Sequence, residues 1–310
     1  MLRDIDDVMG LLDDPKVDGP SVCAFLREAG VSHVESRSVR GTKGSTDFVT
    51  VRIVSSNRAG PTLGIIGRLG GIGARPERVG MVSDADGAIV ALACAVAMAR
   101  MASRGDILVG DVLIATHICP CAPVIPHEPA PFMGAPVDPA TMNRHEVSDA
   151  MDAILSVDTT KGNWLVNRRG FAITPTVKEG YILRTSPDLL EIMRTVSNEP
   201  PIVFPITTQD ITPYGNGVYH VNSILQPSTA TSAPVVGVAT TASTPIAGSA
   251  TGAHQILDLE RASQFCVEVA KAYTSGRCAF YDEREFERLV SLYGPLSHLQ
   301  TLGDHAPGNV

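Results

Sequence analysis

The sequence predicts an α/β protein: a three-layer sandwich with a central mixed, mostly parallel sheet. Short apolar segments alternate with longer segments of helical periodicity along most of the chain. Hydrophobic residues make up 44% and charged residues 19% of the 310 residues, and this composition can form a large buried core. We find no internal repeat or low-complexity linker, so we expect a single domain over residues 1–310.

The order of elements follows from hydrophobic periodicity and from the positions of glycine and proline. Residues 1–44 are expected to form a helical segment that packs on the domain, and the proline-rich residues 120–147 a long loop over the site. The predicted strands are Phe48–Val54, Thr62–Ile66, Val112–Thr116, Ala153–Val157, Ala172–Val177, Ile202–Ile206 and Val235–Thr240. The predicted helices are Ile89–Gly105, Ser186–Ser197, Tyr219–Leu225, Leu257–Ser275 and Asp282–Tyr293.

Charge and hydropathy exclude several classes of partner. Lysine and arginine number 25 against 33 aspartate and glutamate residues, which gives a net charge of −8 with no basic stripe. Such a chain is a poor ligand for nucleic acid or for an anionic membrane. The apolar run Ala88–Ala99 is too short to cross a bilayer, and the first residues lack the pattern of a signal peptide. We therefore expect a cytoplasmic protein.

Polar residues that can carry chemistry stand at the ends of the predicted strands and at the starts of two helices. In open α/β sheets, ligands bind beyond the carboxyl ends of the strands. The residues at these points are Arg68, Asp84, Asp86, His117, Asp158 and His254. Carboxylates and imidazoles are ligands that divalent ions such as zinc take, so the pattern predicts a metal site.

Three segments of the chain together resemble a known enzyme clan. They are SDADGAIVALACAVAMARM, ILSVDTTKGN and TGAHQILDLERASQFCVEVAKAY. Their order resembles the zinc aminopeptidases that include the glutamyl, tetrahedral and bacterial leucyl aminopeptidases, over roughly residues 45–275. The chain also resembles a bacterial family of uncharacterised proteins.

The resemblance implies a zinc-exopeptidase-like fold and a set of metal ligands. It places Asp84 at the metal-bridging position, with Asp86 as the alternative. It also places Asp158 at the second carboxylate and His254 at the final ligand. With His117 in place of a ligand glutamate, Asp84, His117 and His254 are expected to hold one zinc ion, or another divalent metal, with one open position. Asp158 is expected to be a further ligand or to orient the site.

The sequence departs from the clan at two points. Arg68 stands where the clan has its first metal-binding histidine, and Gly70 where it has the following aspartate. Arginine has no lone pair to give to a metal. We expect Arg68 either to replace a metal ion as a fixed cation paired with Asp158 or to bind a substrate carboxylate. Thr116-His117 replaces the glutamate pair that supplies the clan's catalytic base.

Because the clan's catalytic glutamate has no counterpart here, other residues are candidates for the base and for substrate binding. Glu146 or Glu128 from the long loop is a candidate base once the loop closes. His127 in that loop and His220 farther along the chain are candidate substrate-binding residues. Each of these side chains also fits an ordinary solvated loop.

Three functions remain open from the sequence. The favoured one is a metal-dependent hydrolase of an amide-type bond in a small, amino-acid-derived substrate, acting as a homo-oligomer. The alternative is a non-catalytic descendant that binds a small ligand or serves as a scaffold. The third is thiol catalysis through Cys119 or Cys121, activated by a neighbouring histidine.

Overall fold

A computed structural model describes residues 1–56, 59–68, 70–206 and 221–300. Its α-helices are α1 (Leu2–Leu12), α2 (Gly19–Glu28), α3 (Asp86–Ser103), α4 (Pro139–Glu146), α5 (Pro187–Ser197), α6 (Ile256–Thr274) and α7 (Glu283–Tyr293). Its strands are β1 (His33–Gly41), β2 (Gly44–Ile53), β3 (Leu63–Gly67), β4 (Val112–Ile118), β5 (Val124–Ile125), β6 (Phe132–Met133), β7 (Ala153–Thr159), β8 (Gly170–Ile173), β9 (Val177–Lys178), β10 (Tyr181–Ile182) and β11 (Val235–Thr241). Short 3₁₀ segments cover Ser83–Ala85, Ser223–Thr229 and Ser297–Leu299.

A mixed sheet of nine strands forms the middle layer. Its order is β1-β2-β4-β3-β7-β11-β9-β10, and β8 pairs with β11. The four central strands β4, β3, β7 and β11 run parallel, and the strands at both edges are antiparallel. The predicted α/β class, with helices on a mixed sheet that is parallel at its centre, is confirmed.

Helix α3 is the buried helix of the core. It packs on β3, β4 and β7 and also against α6. Among the described residues, the helical stretch Ser83–Ser103 is long and apolar enough to cross a membrane. Most of it is buried inside the protein, as expected for a core helix. Helices α1 and α2 contribute to the same apolar core.

The opposite face of the sheet is covered by less regular structure. Helix α4 packs on β2 and β4, and the 3₁₀ segment Ser223–Thr229 packs on β7 and β11. Residues 120–147 are therefore more than the predicted loop, since they contain the β5–β6 hairpin and α4. The start of α4 has ordinary helix signals: Pro139 in the first turn, after Asp138, whose Oδ1 accepts the N–H of Thr141 at 2.8 Å.

Other sequence expectations need correction. Residues 1–44 are not wholly helical, because β1 pairs antiparallel with β2 through the turn after Gly41. This strand carries many charged residues on an exposed edge and has no strong apolar alternation. The predicted strand Ile202–Ile206 contributes only a bridge at Val203. The predicted helix Tyr219–Leu225 begins outside the described residues.

Two glycines on helices give opposite expectations for stability. A Cβ at Gly87 would lie 2.6 Å from the carbonyl oxygen of Arg68 and 2.7 Å from that of Val157, and backbone atoms cannot easily move. A Cβ at Gly10 would meet nothing within 4 Å. In urea unfolding, we expect Gly87→Ala to lose about 1–3 kcal/mol and Gly10→Ala to gain about 0.5–1 kcal/mol. Equal stability of Gly87→Ala and wild type would contradict this packing.

Candidate active site

Three of the sequence-predicted residues lie at the carboxyl ends of the central parallel strands. Arg68 follows β3 directly, His117 is the penultimate residue of β4, and Asp158 is the penultimate residue of β7. The backbone N–H of Arg68 donates to the carbonyl oxygen of Val157 at 2.8 Å. The candidate site therefore lies where the topology of an α/β sheet expects a ligand.

Arg68, His117 and Glu146 form one buried group, which we call the Arg68 cluster. Arg68 Nη1 lies 2.5 Å from Glu146 Oε2, and both side chains are at most 1% exposed. The same guanidinium donates to Asn143 Oδ1 at 3.4 Å and, through Nη2, to the side-chain oxygen of Gln226. The other Glu146 oxygen, Oε1, lies 2.6 Å from His117 Nδ1. Helix α4 and the 3₁₀ segment Ser223–Thr229 are thus joined to the end of β3.

Both ring nitrogens of His117 are engaged. Nε2 accepts the backbone N–H of Gly70 at 3.0 Å, so the ring proton is on Nδ1 and is donated to Glu146. A Cβ at Gly70 would lie 1.6 Å from the carbonyl oxygen of His117, so glycine is needed for this approach. His117 has no lone pair left for a metal ion, and the predicted ligand role does not fit.

The charge on Glu146 is stabilised within the cluster. Burial raises the pKa of this carboxyl, but Arg68 and His117 outweigh burial and leave the pKa lower than usual. Both carboxylate oxygens are occupied, and the Arg68 guanidinium already has three acceptors. The predicted roles of Glu146 as general base and of Arg68 as substrate clamp therefore do not fit this arrangement. The expected partner of Arg68 was Asp158, but the ion pair is with Glu146.

A second buried group surrounds Asp86 at the start of α3, and we call it the Asp86 cluster. Asp86 Oδ1 lies 2.7 Å from His254 Nδ1, and Oδ2 lies 2.5 Å from Lys161 Nζ. Thr240 Oγ1 donates to Oδ2 at 2.9 Å, and Lys161 also donates to the carbonyl oxygen of Ala253 at 3.1 Å. Burial raises the pKa of Asp86, but Lys161 and His254 outweigh it, and the pKa is lowered overall. Between Asp84 and Asp86, the residue that meets His254 is Asp86.

His254 is held in one orientation with one nitrogen unused. Its Nδ1 faces the Asp86 carboxylate, so the proton lies on Nδ1 and the lone pair on Nε2. Nε2 is buried and has no hydrogen-bond partner within the described part of the chain, although the side chain is only 5% exposed. A buried polar atom without a partner requires an explanation.

The remaining predicted carboxylates make other contacts. Asp84 Oδ2 accepts the backbone N–H of Met133 at 3.0 Å, and Asp158 Oδ1 accepts that of Thr159 at 2.7 Å. Across residues 1–56, 59–68, 70–206 and 221–300, no three His, Cys, Asp or Glu side chains form a group able to hold a metal ion. The predicted ligand set Asp84, His117, Asp158 and His254 therefore does not assemble among these residues.

The other candidates have no side-chain bond to either cluster among the described contacts, or they fall outside the described residues. His127 is half-buried and packs edge-to-face on Phe132, with ring centroids 5.4 Å apart. His220 lies outside the described residues. Burial raises the pKa of the Cys119 thiol to about 11, which disfavours the thiolate that thiol catalysis requires. Cys121 is exposed.

Sequence reasoning missed Lys161, Asn143, Gln226 and Thr240. Lys161 is a lysine with a 2% exposed side chain, three residues after Asp158 in SVDTTKGN. A lysine so soon after a buried strand end was the one available signal, since buried lysines are rare unless they are paired. Gln226 and Asn143 carry no comparable signal, because their role depends on where α4 and Ser223–Thr229 fold.

Comparison with known proteins gives a family and a fold. Residues 37–303 match the family described as "Protein of unknown function (DUF1177)". The chain belongs to this family. No curated protein matches this DUF1177 chain.

Two solved structures that resemble this DUF1177 chain in fold are a bottromycin maturation enzyme and an aminopeptidase. The bottromycin maturation enzyme BotP, in complex with Mn, superposes with a TM-score of 0.51 at 13% identity, covering 86% of this chain and 71% of BotP. The LapA aminopeptidase of Legionella pneumophila superposes with a TM-score of 0.51 at 10% identity, covering 89% of this chain and 71% of LapA. At these identities the likeness shows the fold alone.

The metal centre that the resemblance to the zinc aminopeptidases implies does not fit the contacts of the described residues. Arg68 occupies the position of the expected first histidine and is paired internally. His117 has both nitrogens bonded, and the ammonium of Lys161 lies against Asp86 beside His254. Two buried cations, Arg68 and Lys161, thus lie among the residues that the resemblance assigned to the metal site.

The Arg68 cluster predicts strong coupling between two substitutions. Arg68→Met leaves the Glu146 carboxylate buried without its cation, which costs about 3–5 kcal/mol. Arg68→Met combined with Glu146→Gln removes both charges, so the double variant should be more stable than the sum of the single effects implies. A double-mutant cycle from urea unfolding measures this coupling, and a coupling free energy near zero would refute the buried pair.

The same pair predicts a pH dependence. The pKa of Glu146 is lowered in the folded state, so its stabilisation is fully present above the unfolded value of about 4.3 and is lost as the pH falls through the folded value. The stability difference between wild type and Glu146→Gln should therefore shrink below about pH 4. Unfolding curves from pH 3 to 7 test this, with Glu77→Gln, an exposed carboxylate elsewhere, as the control.

Proposed function

We propose that this protein hydrolyses an amide-type bond in a small, amino-acid-derived substrate at the carboxyl edge of its parallel strands. The observation that carries the proposal is the buried Nε2 of His254, which has no hydrogen-bond partner among the described residues while Nδ1 is fixed by its contact with Asp86. An oriented imidazole with a free lone pair can take a proton from water. The aminopeptidase-like fold of the similar structures supports hydrolysis as the reaction class.

The Asp86 cluster would give His254 a defined role. Nε2 would take the proton of a water molecule as its oxygen attacks the substrate carbonyl, and would then return a proton to the leaving nitrogen. Asp86 would hold the ring and stabilise the imidazolium while it exists. Lys161 and Thr240 fix the other Asp86 oxygen, so the carboxylate cannot turn away from His254.

Whether the hydrolysis needs zinc is a separate question, which the assay below addresses. Of the two histidines predicted as ligands, only His254 has a nitrogen that makes no described contact. The similar structure of BotP contains Mn. Zinc and manganese are therefore included as variables of the assay. A cytoplasmic location, a homo-oligomeric state and the lack of nucleic-acid and membrane partners likewise remain predictions from the sequence.

A second candidate function has an observation of its own. The Arg68 guanidinium and the Lys161 ammonium are each buried against one carboxylate, so each cluster contains its own cation and anion. A chain that lost its metal chemistry and kept its pocket would retain such internal pairs. This observation favours a non-catalytic protein that binds a small ligand at the same edge.

The test is a hydrolysis assay with matched variants. Aminoacyl nitroanilides and N-acyl amino acids are supplied to the purified protein with no added metal, with zinc and with manganese. We expect His254→Ala to lower turnover about 10²–10⁴-fold and Asp86→Asn to lower it as well, whereas His33→Ala, an exposed histidine at the start of β1, retains it.

The outcomes separate the candidates. Turnover that survives His254→Ala refutes the site. No turnover of any substrate, together with measurable binding of an amino-acid-derived compound that His254→Ala weakens, selects the binding protein instead.

A further inference from the structure

A cleft lies at the amino ends of the central parallel strands, whereas the candidate active site lies at their carboxyl ends. Met151 and Asp152 line it just before β7, and residues 232–234 line it just before β11, so it lies at the amino ends of these parallel strands. Its volume is about 740 Å³. Pockets of about 300–1,000 Å³ accommodate small organic molecules.

Aromatic rings form one wall of the cleft. Tyr273, Phe280 and Tyr281 line it, and the rings of Tyr273 and Phe280 meet edge-to-face with centroids 5.1 Å apart. The faces of aromatic rings attract cations. This wall already attracts one, because Lys178 Nζ lies 5.6 Å from the centre of the Tyr281 ring. The phenol oxygens of Tyr273 and Tyr281 make no hydrogen bond within the described residues.

Acidic side chains outnumber basic ones around the cleft. Asp149, Asp152 and Glu283 line it, whereas its lysine, Lys178, is bonded to Glu179 at 2.7 Å and to the carbonyl oxygen of Ser232 at 2.6 Å. Asp152 Oδ2 accepts the backbone N–H of Thr62 at 2.7 Å and stays exposed.

The two tyrosines respond to this negative potential. Burial raises the pKa of Tyr273, and the charge of Asp152 raises it further. The pKa of Tyr281 is raised by burial and then by Glu283 and two other glutamates. Burial disfavours any charge, but the part of each shift that comes from the carboxylates reflects a negative potential, and this potential favours a cation in the cleft.

We propose that this cleft binds a small organic cation, with its charged group between the aromatic wall and the carboxylates of Asp152 and Glu283. Carboxylates would accept its N–H groups, the Tyr273 and Tyr281 rings would contact its charge, and Met151 and Phe280 would contact its aliphatic part. Binding of this amine or guanidine does not depend on the proposed hydrolysis, because the cleft and the candidate active site lie at opposite ends of the parallel strands.

The experiment compares two probes of nearly equal shape. Butylguanidinium is charged and butylurea is neutral, so the difference between them measures recognition of the charge. Each is titrated into the full chain and followed by NMR shifts and by melting temperature. We expect butylguanidinium to bind at least tenfold more tightly than butylurea, with the difference decreasing as salt is added.

Variants locate the site. Asp152→Asn combined with Glu283→Gln keeps shape and hydrogen-bond acceptors and should weaken butylguanidinium binding at least fivefold, and Tyr281→Leu should weaken it as well. Glu77→Gln, an exposed carboxylate outside the cleft, and His254→Ala, at the other edge, should leave it unchanged.

Equal affinity for the two probes overturns the proposal. Binding that resists the double variant or that is lost in His254→Ala also overturns it. Circular dichroism of each variant verifies that the fold is kept, so a loss of binding in Tyr281→Leu is interpreted only for folded protein.

Discussion

The buried guanidinium of Arg68 determines how the layer above the carboxyl edge of the sheet is arranged. A charge at 1% exposure is tolerated only when it has partners, because moving an ion out of water costs several kcal/mol or more. Arg68 finds its partners in Glu146 and Asn143 of α4 and in Gln226 of the 3₁₀ segment. None of these is near it in sequence, so one side chain connects the end of β3 to two segments of the opposite layer.

The same requirement shapes the Asp86 cluster on the other side of the strand ends. Asp86 is buried at the start of α3 and needs a cation, which Lys161 supplies, while Thr240 and His254 complete its hydrogen bonds. Both histidines are thereby fixed by a carboxylate at Nδ1, but they differ at Nε2. In His117 that nitrogen is bonded to the Gly70 backbone, and in His254 it has no described partner. This difference directs a chemical role to His254 rather than to His117.

The parallel strands β7 and β11 connect two places of different chemistry. At their carboxyl ends, each buried cation is paired with a carboxylate of its own cluster. At their amino ends, the cleft is lined by aromatic rings and by more carboxylates than lysines. Because the buried strands β7 and β11 separate the two places, these can differ in ligand chemistry without sharing a residue.

Sequence patterns alone were enough to predict the α/β class, the central strands, the buried helix α3 and the end of the sheet where polar residues gather. These follow from apolar periodicity and from residues next to strand ends, which are local signals. The partners of the buried charges emerged only from the folded arrangement: Arg68 pairs with Glu146 rather than with Asp158, and His254 meets Asp86 rather than Asp84. A buried charge takes whichever opposite charge the packing brings near, and the positions of α4 and Lys161 over the strand ends are set by long-range packing that no local pattern encodes.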